Sequence, residues 1–372
     1  MKLVAHASAL ASALSLAAAA VRKKGVVRLV ADDGTARITC GDNAIATTAT
    51  APATVHEPGQ VAVSVDRLAA LVAGFAPGAP VTLSTTENVA IVVCGNSHSR
   101  LSIIPWTDLP DVLALDSEIA LVEVSGGECL LLLEPLAAAA VKDITRFYLC
   151  GIFLHTVDDR LVAVSTDGCR LIRVGVSAGE FSTTRDLILP QEAAMVLRWL
   201  VTRTKPEKVT LRRSRTLLAV SGPDFEFVSR LIDGKFPPYE AVFPAASPNF
   251  VTCARSELLA ALSRLAAVAT ADPPLLALSW TDAGPLKLFL ARQPDDGADA
   301  IAAQAHGAAK VAVPLQQLAA VIDEFSGERV QLEAAGPLVI RSKGEKLALL
   351  MPSAWNFERG GSCRVEAEAA VM

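Results

Sequence analysis

Three segments of the chain repeat one order of apolar and polar positions. Each begins with a short apolar run typical of a strand, at Val61, Leu187 and Val311, and these starts are 126 and 124 residues apart. After each run, apolar residues recur at spacings of three and four, which predicts a helix with one apolar stripe. A second predicted strand closes each copy, at residues 81–83, 209–211 and 330–332. The pattern therefore predicts a threefold repeat of strand, helix and strand.

A second predicted helix precedes the first and third copies. The pattern of residues 8–15 matches that of residues 256–263 at an offset of 248. The middle counterpart spans residues 128–141, where Pro135 is expected either to kink the helix or to mark its first turn. The apolar run of residues 3–21 resembles a secretory signal, but its polar interruptions and its place in the repeat favour a structural helix.

Alternating segments between the helices carry turn signals. Residues 37–40 follow Asp32-Asp33-Gly34, and residues 147–157 and 161–164 flank Asp158-Asp159, so both stretches predict antiparallel hairpins. Two helices packed on antiparallel sheet make each repeat an α+β unit. We therefore predict three repeated domains, the last with a C-terminal extension at residues 353–372. The predicted domains span residues 1–118, 119–246 and 247–372.

Composition narrows the function classes. The 372 residues carry a formal net charge of −5, which disfavours a simple basic nucleic-acid binder but allows a local basic face on an acidic body. The seven cysteines are scattered and form no C-x-x-C pair, which is typical of buried thiols in a reduced compartment. The five histidines are equally dispersed. We expect neither a metal site nor a cofactor.

Motifs of catalysis are missing from the sequence. It contains no phosphate-binding loop, no dinucleotide fingerprint, no H-E-x-x-H zinc motif and no nucleophile elbow. The acidic pairs at residues 32–33, 158–159 and 295–296 stand beside turn residues or between strands, and we interpret them as solvated turns. The sequence therefore favours a binding protein over an enzyme.

Two motifs in the middle of the chain resemble a known family. Thr-Arg-Phe-Tyr-Leu-Cys-Gly at residues 145–151 and Ala-Val-Ser-Thr-Asp-Gly-Cys-Arg-Leu at residues 163–171 closely resemble the middle-domain signature of the bacterial sliding clamp, the beta subunit of DNA polymerase III. Further stretches similar to this family in order and spacing lie at residues 99–103, 108–110, 231–239 and 349–352. The resemblance covers residues 1–352, and the family's three-domain repeat agrees with the one found independently above.

The resemblance implies a DNA-clamp fold and a non-catalytic role in DNA replication. A head-to-tail homodimer would close into a ring around double-stranded DNA, without sequence preference, and helices would line its hole. The ring would bind the DNA polymerase III alpha subunit and the clamp loader through short peptide motifs, in the cytoplasm and away from any membrane. By resemblance, the two faces of the dimer junction carry Leu101, Ile103 and Val268.

The resemblance also assigns candidate contact residues. Those expected to meet DNA in the hole are Arg22, Lys23, Lys24, Lys142, Arg146, Phe147, Tyr148 and Arg198. Those that match the partner-peptide cleft are Leu149, Thr166, Gly168, Cys169, Arg170, Leu171, Pro237, Val242, Leu349, Leu350, Met351 and Pro352. Within the cleft, the apolar floor is expected to consist of Leu171, Val242, Leu350 and Met351.

Three departures from the family pattern suggest a divergent or secondary clamp. Cys169 stands where the family usually has His, Ala241 stands where a basic residue is common, and the chain continues with residues 353–372. One alternative is therefore a clamp paralogue that serves repair or translesion partners. An alternative of another class is a secreted repeat protein that binds an apolar ligand after removal of residues 1–21.

Overall fold

The chain divides into two compact units. The first comprises Met1–Leu133, Gly151–Leu161 and Val176–Gly234, and the second comprises Glu134–Cys150, Val162–Gly175 and Lys235–Met372. The structure is a computed structural model. It describes residues 1–21, 25–106, 113, 115, 120–139, 143, 145–177, 186–291, 297–342 and 346–353, with the backbone alone at 120, 121 and 291.

Strands outnumber helices in the described residues. The helices are α1 (Ala7–Ala17), α2 (Val65–Ala73), α3 (Gly126–Leu133), α4 (Gln191–Thr204), α5 (Arg255–Val268) and α6 (Leu315–Asp323). Short 3₁₀ turns span Ala18–Ala20, Glu134–Ala138, Phe147–Leu149 and Tyr239–Val242.

The strands alternate with these helices along the chain. Up to the last strand before α4 they are β1 (Lys2–His6), β2 (Val26–Asp32), β3 (Thr35–Gly41), β4 (Ile45–Pro52), β5 (Thr54–Glu57), β6 (Gly59–Ser64), β7 (Pro80–Thr85), β8 (Val89–Cys94), β9 (Ser97–Ser102), β10 (Ala120–Ser125), β11 (Gly151–Val157), β12 (Arg160–Thr166), β13 (Arg170–Ser177) and β14 (Leu187–Pro190). After α4 they are β15 (Lys208–Arg213), β16 (Leu217–Ser221), β17 (Phe225–Arg230), β18 (Phe250–Ala254), β19 (Leu275–Trp280), β20 (Leu286–Ala291), β21 (Ala298–Ile301), β22 (Ala303–His306), β23 (Ala309–Pro314), β24 (Arg329–Ala334), β25 (Leu338–Arg341) and β26 (Leu347–Leu350).

The first unit contains two complete antiparallel sheets and the antiparallel pair of β11 and β14. The smaller has the strand order β5-β1-β7-β8-β9, and the larger has the order β10-β15-β16-β17-β4-β3-β2-β6. The hairpin predicted around Asp32-Asp33-Gly34 is formed by β2 and β3, with Leu29 opposite Ile38. Asp33 adopts a φ of 46°, so this acidic pair serves as a turn, as predicted.

The apolar N-terminal run is part of the folded first unit. Leu3 lies in β1, Leu10 and Leu14 lie in α1, and all three side chains are fully buried. The predicted helix is confirmed. Strand β1 was not predicted, because it has only five residues and continues directly into α1 within one largely apolar run. Removal of residues 1–21, which the secretory alternative requires, would take these side chains out of the core.

The second unit is built around a core of its own. Strands β13-β26-β25-β24-β18-β22 follow one another in one antiparallel sheet, and β21-β20-β19-β23 form another. Both helices of this unit, α5 and α6, contribute to its buried cluster, which includes Leu258, Trp280, Leu318, Phe325 and Ile340. The α+β layering predicted from the sequence is therefore present.

The threefold repeat of strand, helix and strand is confirmed at the level of elements. The three copies are β6-α2-β7, β14-α4-β15 and β23-α6-β24. The helices predicted at residues 8–15 and 256–263 are α1 and α5. The predicted division at residues 118 and 246 stays a prediction, and residue 118 lies outside the described residues.

The middle counterpart of α1 and α5 is shorter than predicted. Helix α3 begins with a capping box, in which the Glu128 amide donates to Ser125 Oγ and the Ser125 amide donates to Glu128 Oε2. It ends at Leu133, and a 3₁₀ turn that contains Pro135 follows. Proline lacks an amide hydrogen and its ring clashes with the carbonyl four residues earlier, so the α-helix stops there.

A second correction concerns residues 147–157, which were predicted as one strand. Phe147–Leu149 form a 3₁₀ turn, and the strand β11 begins at Gly151. A Cβ at Gly151 would lie 2.3 Å from the carbonyl oxygen of Leu189, so only glycine permits the close approach of β11 to β14 here. The following turn at Asp158-Asp159 has positive φ at both residues, in agreement with its prediction.

Candidate partner cleft and nucleic-acid contacts

The segment from Thr166 to Arg170 forms a tightly bonded turn between β12 and β13. Thr166 Oγ1 donates to the carbonyl of Arg170 at 2.7 Å and accepts from the amide of Gly168 at 3.0 Å. Asp167 Oδ1 accepts from the amides of Cys169 and Arg170, and its Oδ2 accepts from Arg170 Nε at 3.0 Å. Short polar side chains that bond to nearby backbone define such turns, so the Thr-Asp-Gly-Cys-Arg motif fixes its own geometry.

Arg146 packs directly on this turn. Its Nη1 lies 3.5 Å from the carbonyl oxygen of Asp167, and a Cβ at Gly168 would approach the same nitrogen to 3.2 Å. Gly168 also has a φ of +93°, which disfavours other residues. Glycine is therefore favoured at this position by its backbone conformation, and a Cβ there would also require the guanidinium to shift by a few tenths of an ångström.

Asp143 anchors Arg146 from the other side. Asp143 Oδ2 accepts from Arg146 Nε at 2.7 Å, and Oδ1 accepts from the hydroxyl of Thr145 at 2.7 Å and from two backbone amides. These bonds, above all that of the Thr145 hydroxyl, hold the pKa of Asp143 well below its usual range. The hydrogen bond to Asp143 raises the pKa of Arg146. The two side chains thus form a charged pair at the base of the Phe147–Leu149 turn.

Strand β26 brings the cleft candidates Leu349, Leu350 and Met351 to the end of the Thr166–Arg170 turn. Arg170 lies opposite Leu350 and Leu171 opposite Leu349, while the Met351 amide donates to the carbonyl of Cys169 at 2.8 Å. The structure therefore brings together six of the predicted cleft residues through the pairing of β13 and β26.

The apolar candidates divide between core and surface. Leu350 is 0% exposed and belongs to the buried cluster of the second unit, so its side chain supports the site from inside. Leu171 and Leu349 are buried too, on the opposite face of the sheet, because side chains alternate along a strand. Met351 and Val242 are 52% and 51% exposed. The expected accessible floor of four residues is thus reduced to these two.

The remaining cleft candidates lie on other turns of the second unit and beside Met351. Leu149 is buried at the end of its 3₁₀ turn, with its amide bonded to the Arg146 carbonyl. Pro237 is half-buried and precedes Tyr239, whose buried ring makes edge contacts with Phe236 at 6.4 Å and Phe243 at 6.0 Å. These rings hold the turn that exposes Val242. Pro352 is exposed beside Met351.

The candidate DNA contacts are only partly described. Arg22, Lys23, Lys24 and Lys142 lie outside the described residues. Phe147 is 48% exposed and meets Tyr148 edge to face at 5.7 Å. Arg146 is committed to Asp143 as shown above, and Arg198 is half-buried on α4 in the first unit.

The dimer candidates lie where a second chain could reach them. Leu101 is in β9, which ends the strand order of its sheet, and Ile103 follows directly. An edge strand presents unpaired backbone groups to a partner. Val268, the last residue of α5, is 44% exposed.

Among the described residues, no group of three or more His, Cys, Asp or Glu side chains could hold a metal ion. Within the same residues, no helix is long and apolar enough to cross a membrane.

Asp143 and Asp167 are the site residues that sequence reasoning missed. Both initiate turns by accepting backbone amides two and three residues later. The signal was available, because an Asp followed two residues later by a polar or glycine-rich turn is typical of such motifs.

Comparisons with known proteins find relatives for the part of the chain that carries these turns. Residues 128–238 match the family model described as DNA polymerase III beta subunit, central domain. The beta sliding clamp of Pseudomonas putida is 30% identical over 211 residues, which cover 56% of this chain and 57% of that protein. The clamp of Escherichia coli K12 is 29% identical over 190 residues, 51% of each chain. The chain thus aligns with little more than half the length of these curated relatives.

Solved structures match over nearly the whole chain. The DNA polymerase III beta subunit of Pseudomonas aeruginosa superposes with a TM-score of 0.88 at 22% identity and covers 95% of this chain and 100% of its own. The sliding clamp of Bartonella birtlesii, bound to griselimycin, gives a TM-score of 0.87 at 23% identity, with the same coverage.

These matches define the class of protein. The fold is that of a bacterial DNA clamp, so the predicted α+β clamp fold is confirmed. Residues 128–238 match the central-domain family of the DNA polymerase III beta subunit, and the predicted similarity to the sliding clamp is confirmed. At 30% identity or below, the chain is a divergent relative.

Proposed function

We propose that this protein is a DNA sliding clamp, a non-catalytic processivity factor that encircles duplex DNA during replication. The observation that carries the proposal is the fold match, which spans 95% of this chain and the full length of a DNA polymerase III beta subunit. The net charge of −5 agrees with such a role. A sliding ring contacts phosphates through scattered basic groups, while an acidic body limits binding to nucleic acid elsewhere.

The ring is a head-to-tail homodimer with three domains in each chain. Its two identical junctions join the β9 edge, with Leu101 and Ile103, to the exposed end of α5 at Val268. Because each chain offers two different faces, the contacts are heterologous and must close after two copies. The position of Leu101 on an edge strand and the 44% exposure of Val268 support this assignment.

The partner site lies around the Thr166–Arg170 turn and receives short peptide motifs of the DNA polymerase III alpha subunit and the clamp loader. Its support is the exposure of Met351 and Val242, since half-exposed apolar side chains beside a rigid turn suit the Leu or Phe anchors of a linear peptide. The Bartonella birtlesii relative, solved with griselimycin bound, shows that a clamp of this fold takes a ligand.

A specialised clamp for repair or translesion partners is the second candidate. It is favoured by Cys169, an exposed thiol on the turn where the family usually has His, and by Ala241, beside exposed Val242. Titration with peptides from replicative and translesion polymerases separates the two roles. A replicative clamp is expected to bind the replicative peptide at least as tightly.

The decisive experiment combines native mass measurement with retention on DNA. We expect a dimer, retained after loading on nicked circular DNA and lost when the same circle is linearised, because only a ring can slide off an end. Equal retention on both forms, or a monomer at micromolar concentration, would contradict the proposal. Met351→Ser provides the matching test of the cleft, since an exposed side chain is expected to change peptide affinity and leave thermal stability intact.

A further inference from the structure

Helix α4 carries an unusual solvent-facing stripe. Met195, Trp199 and Arg203 follow one another at i, i+4 and i+8, so they lie on one face, about 5–6 Å apart between successive Cβ atoms. Met195 is 57% and Trp199 42% exposed, and Arg203 is exposed as well. The opposite face supplies the buried residues Ala193, Ala194, Leu197, Leu200 and Val201. The buried face of the helix is therefore formed by other residues than the stripe of Met195, Trp199 and Arg203, which we call the α4 stripe.

The charge around the α4 stripe is positive. Between residues 193 and 206 the sequence contains Arg198, Arg203 and Lys205 and no acidic residue. Within the helix the nearest acid is Glu192, in the first turn, three residues before Met195 and two turns from Trp199, and Glu207 follows shortly after Lys205. Arg203 and Lys205 are both exposed near the C-terminal end. A large aromatic ring in a basic setting is the composition that proteins use to bind single-stranded nucleic acid.

We propose that the α4 stripe is a binding site for single-stranded DNA, in which the Trp199 ring stacks on an unpaired base and Arg203 binds a neighbouring phosphate. Duplex DNA does not satisfy the ring, because the faces of paired bases are covered by their neighbours. A site for phosphate alone would need no exposed tryptophan. The inference rests on the proposed association with DNA, but it requires neither ring closure nor the partner cleft.

Fluorescence anisotropy of a labelled oligothymidylate tests the proposal with the full-length protein. Trp199→Ala is expected to weaken binding roughly 5- to 150-fold, the range for loss of one stacked base, while Trp199→Phe stays within about threefold of wild type. The matched control is Trp106→Ala, which removes another exposed tryptophan, one that contacts Arg28 at 5.7 Å. It is expected to leave the affinity unchanged. Equal weakening by both alanine variants would overturn the proposal.

Two further readouts separate stacking from general electrostatics. Arg203→Ala is expected to reduce the slope of log affinity against log salt by about 0.7, the value for one contact on a single strand, whereas Trp199→Ala leaves the slope unchanged. A closed duplex hairpin of the same length is expected to bind wild type and Trp199→Ala equally. If the variant loses as much affinity for the hairpin as for the single strand, the stripe is not specific for unpaired bases.

The outcome is independent of the clamp proposal. Retention of Trp199→Ala on nicked circular DNA is expected to match wild type, since the substitution leaves the dimer junction and the described cleft residues intact. Failure of wild-type retention would count against the clamp, and unchanged oligothymidylate binding by Trp199→Ala would count against the α4 stripe alone.

Discussion

A buried ion pair in the second unit allows a sharp test of how much a desolvated charge pair contributes to folding stability. Lys346 Nζ donates to Glu134 Oε2 at 2.6 Å and to the backbone carbonyl of Glu324, and it lies 4.6 Å from the centre of the Phe325 ring. The side chains of Lys346 and Glu134 are only 8% and 15% exposed. The pair joins the 3₁₀ turn after α3 to the residue that precedes β26, so it bears on the strand that carries Leu349 and Leu350.

Removal of one partner is expected to cost more than removal of both. Glu134→Leu leaves a buried ammonium without its carboxylate, at a cost of about 3–5 kcal/mol. The Glu324 carbonyl and the Phe325 ring still contact Lys346, which favours the lower end, roughly 3 kcal/mol. The double variant Glu134→Leu/Lys346→Met buries no charge and loses mainly the bond to the Glu324 carbonyl, about 1–3 kcal/mol. We therefore expect the double variant to be more stable than the single variant Glu134→Leu.

Thermal unfolding measures this difference. Trp280 is buried in the core of the same unit, so its fluorescence reports the unfolding of that unit when Trp106, Trp199 and Trp355 are replaced by Phe in all variants. A loss of about 3 kcal/mol in a body of this size lowers the melting temperature by roughly 6–12 °C. A shift below about 2 °C for Glu134→Leu, or a double variant less stable than Glu134→Leu, would refute the assignment of a desolvated pair.

Three other results are expected. Val268→Asp charges an exposed junction residue and is expected to give monomers in sedimentation; an unchanged dimer would reject the junction. Alanine at residues 22–24 is expected to lower the salt slope of duplex binding by about 0.9 per lost contact, and an unchanged slope would remove these residues from the hole. Burial raises the pKa of Cys129 to about 12, so a thiol reagent at about pH 8 is expected to modify exposed Cys169 first; equal rates would contradict the packing around Cys129.

The repeat was predictable from the sequence because its periodicity is set by burial. Leu68 and Val72 face a core in α2, as Leu318 and Ile322 do in α6, and each pair recurs at helical spacing. The end of α3 was less predictable. A proline restricts the helix that precedes it, yet the sequence alone left open whether Pro135 would kink the helix or begin it.

The sequence was sufficient to predict the turn of the candidate site. It was not sufficient to predict which apolar side chains of the expected floor are exposed. The Thr-Asp-Gly-Cys-Arg motif contains its own bonding partners, so local chemistry determines its conformation. The stretch from Leu347 to Met351 is apolar throughout and does not alternate, so the sequence gives no sign of which side chains face the core. Pairing with β13 decides it, and this pairing sends Leu350 inward and leaves Met351 exposed.

Arg146 is one of the candidate DNA contacts, and it also packs against the Thr166–Arg170 turn that carries candidate cleft residues. It was expected to face DNA, but its guanidinium is held by Asp143 at 2.7 Å and lies against the turn that carries Gly168. A guanidinium already paired with a carboxylate has less attraction left for a phosphate, although the Arg146 side chain is 50% exposed, much like Phe147 at 48%. Movement of Arg146 towards a phosphate would break its contact with Asp167 and Gly168. Any role of Arg146 in DNA contact therefore bears on the Thr166–Arg170 turn as well, because Nε and Nη1 of the same guanidinium face Asp143 and the Asp167 carbonyl.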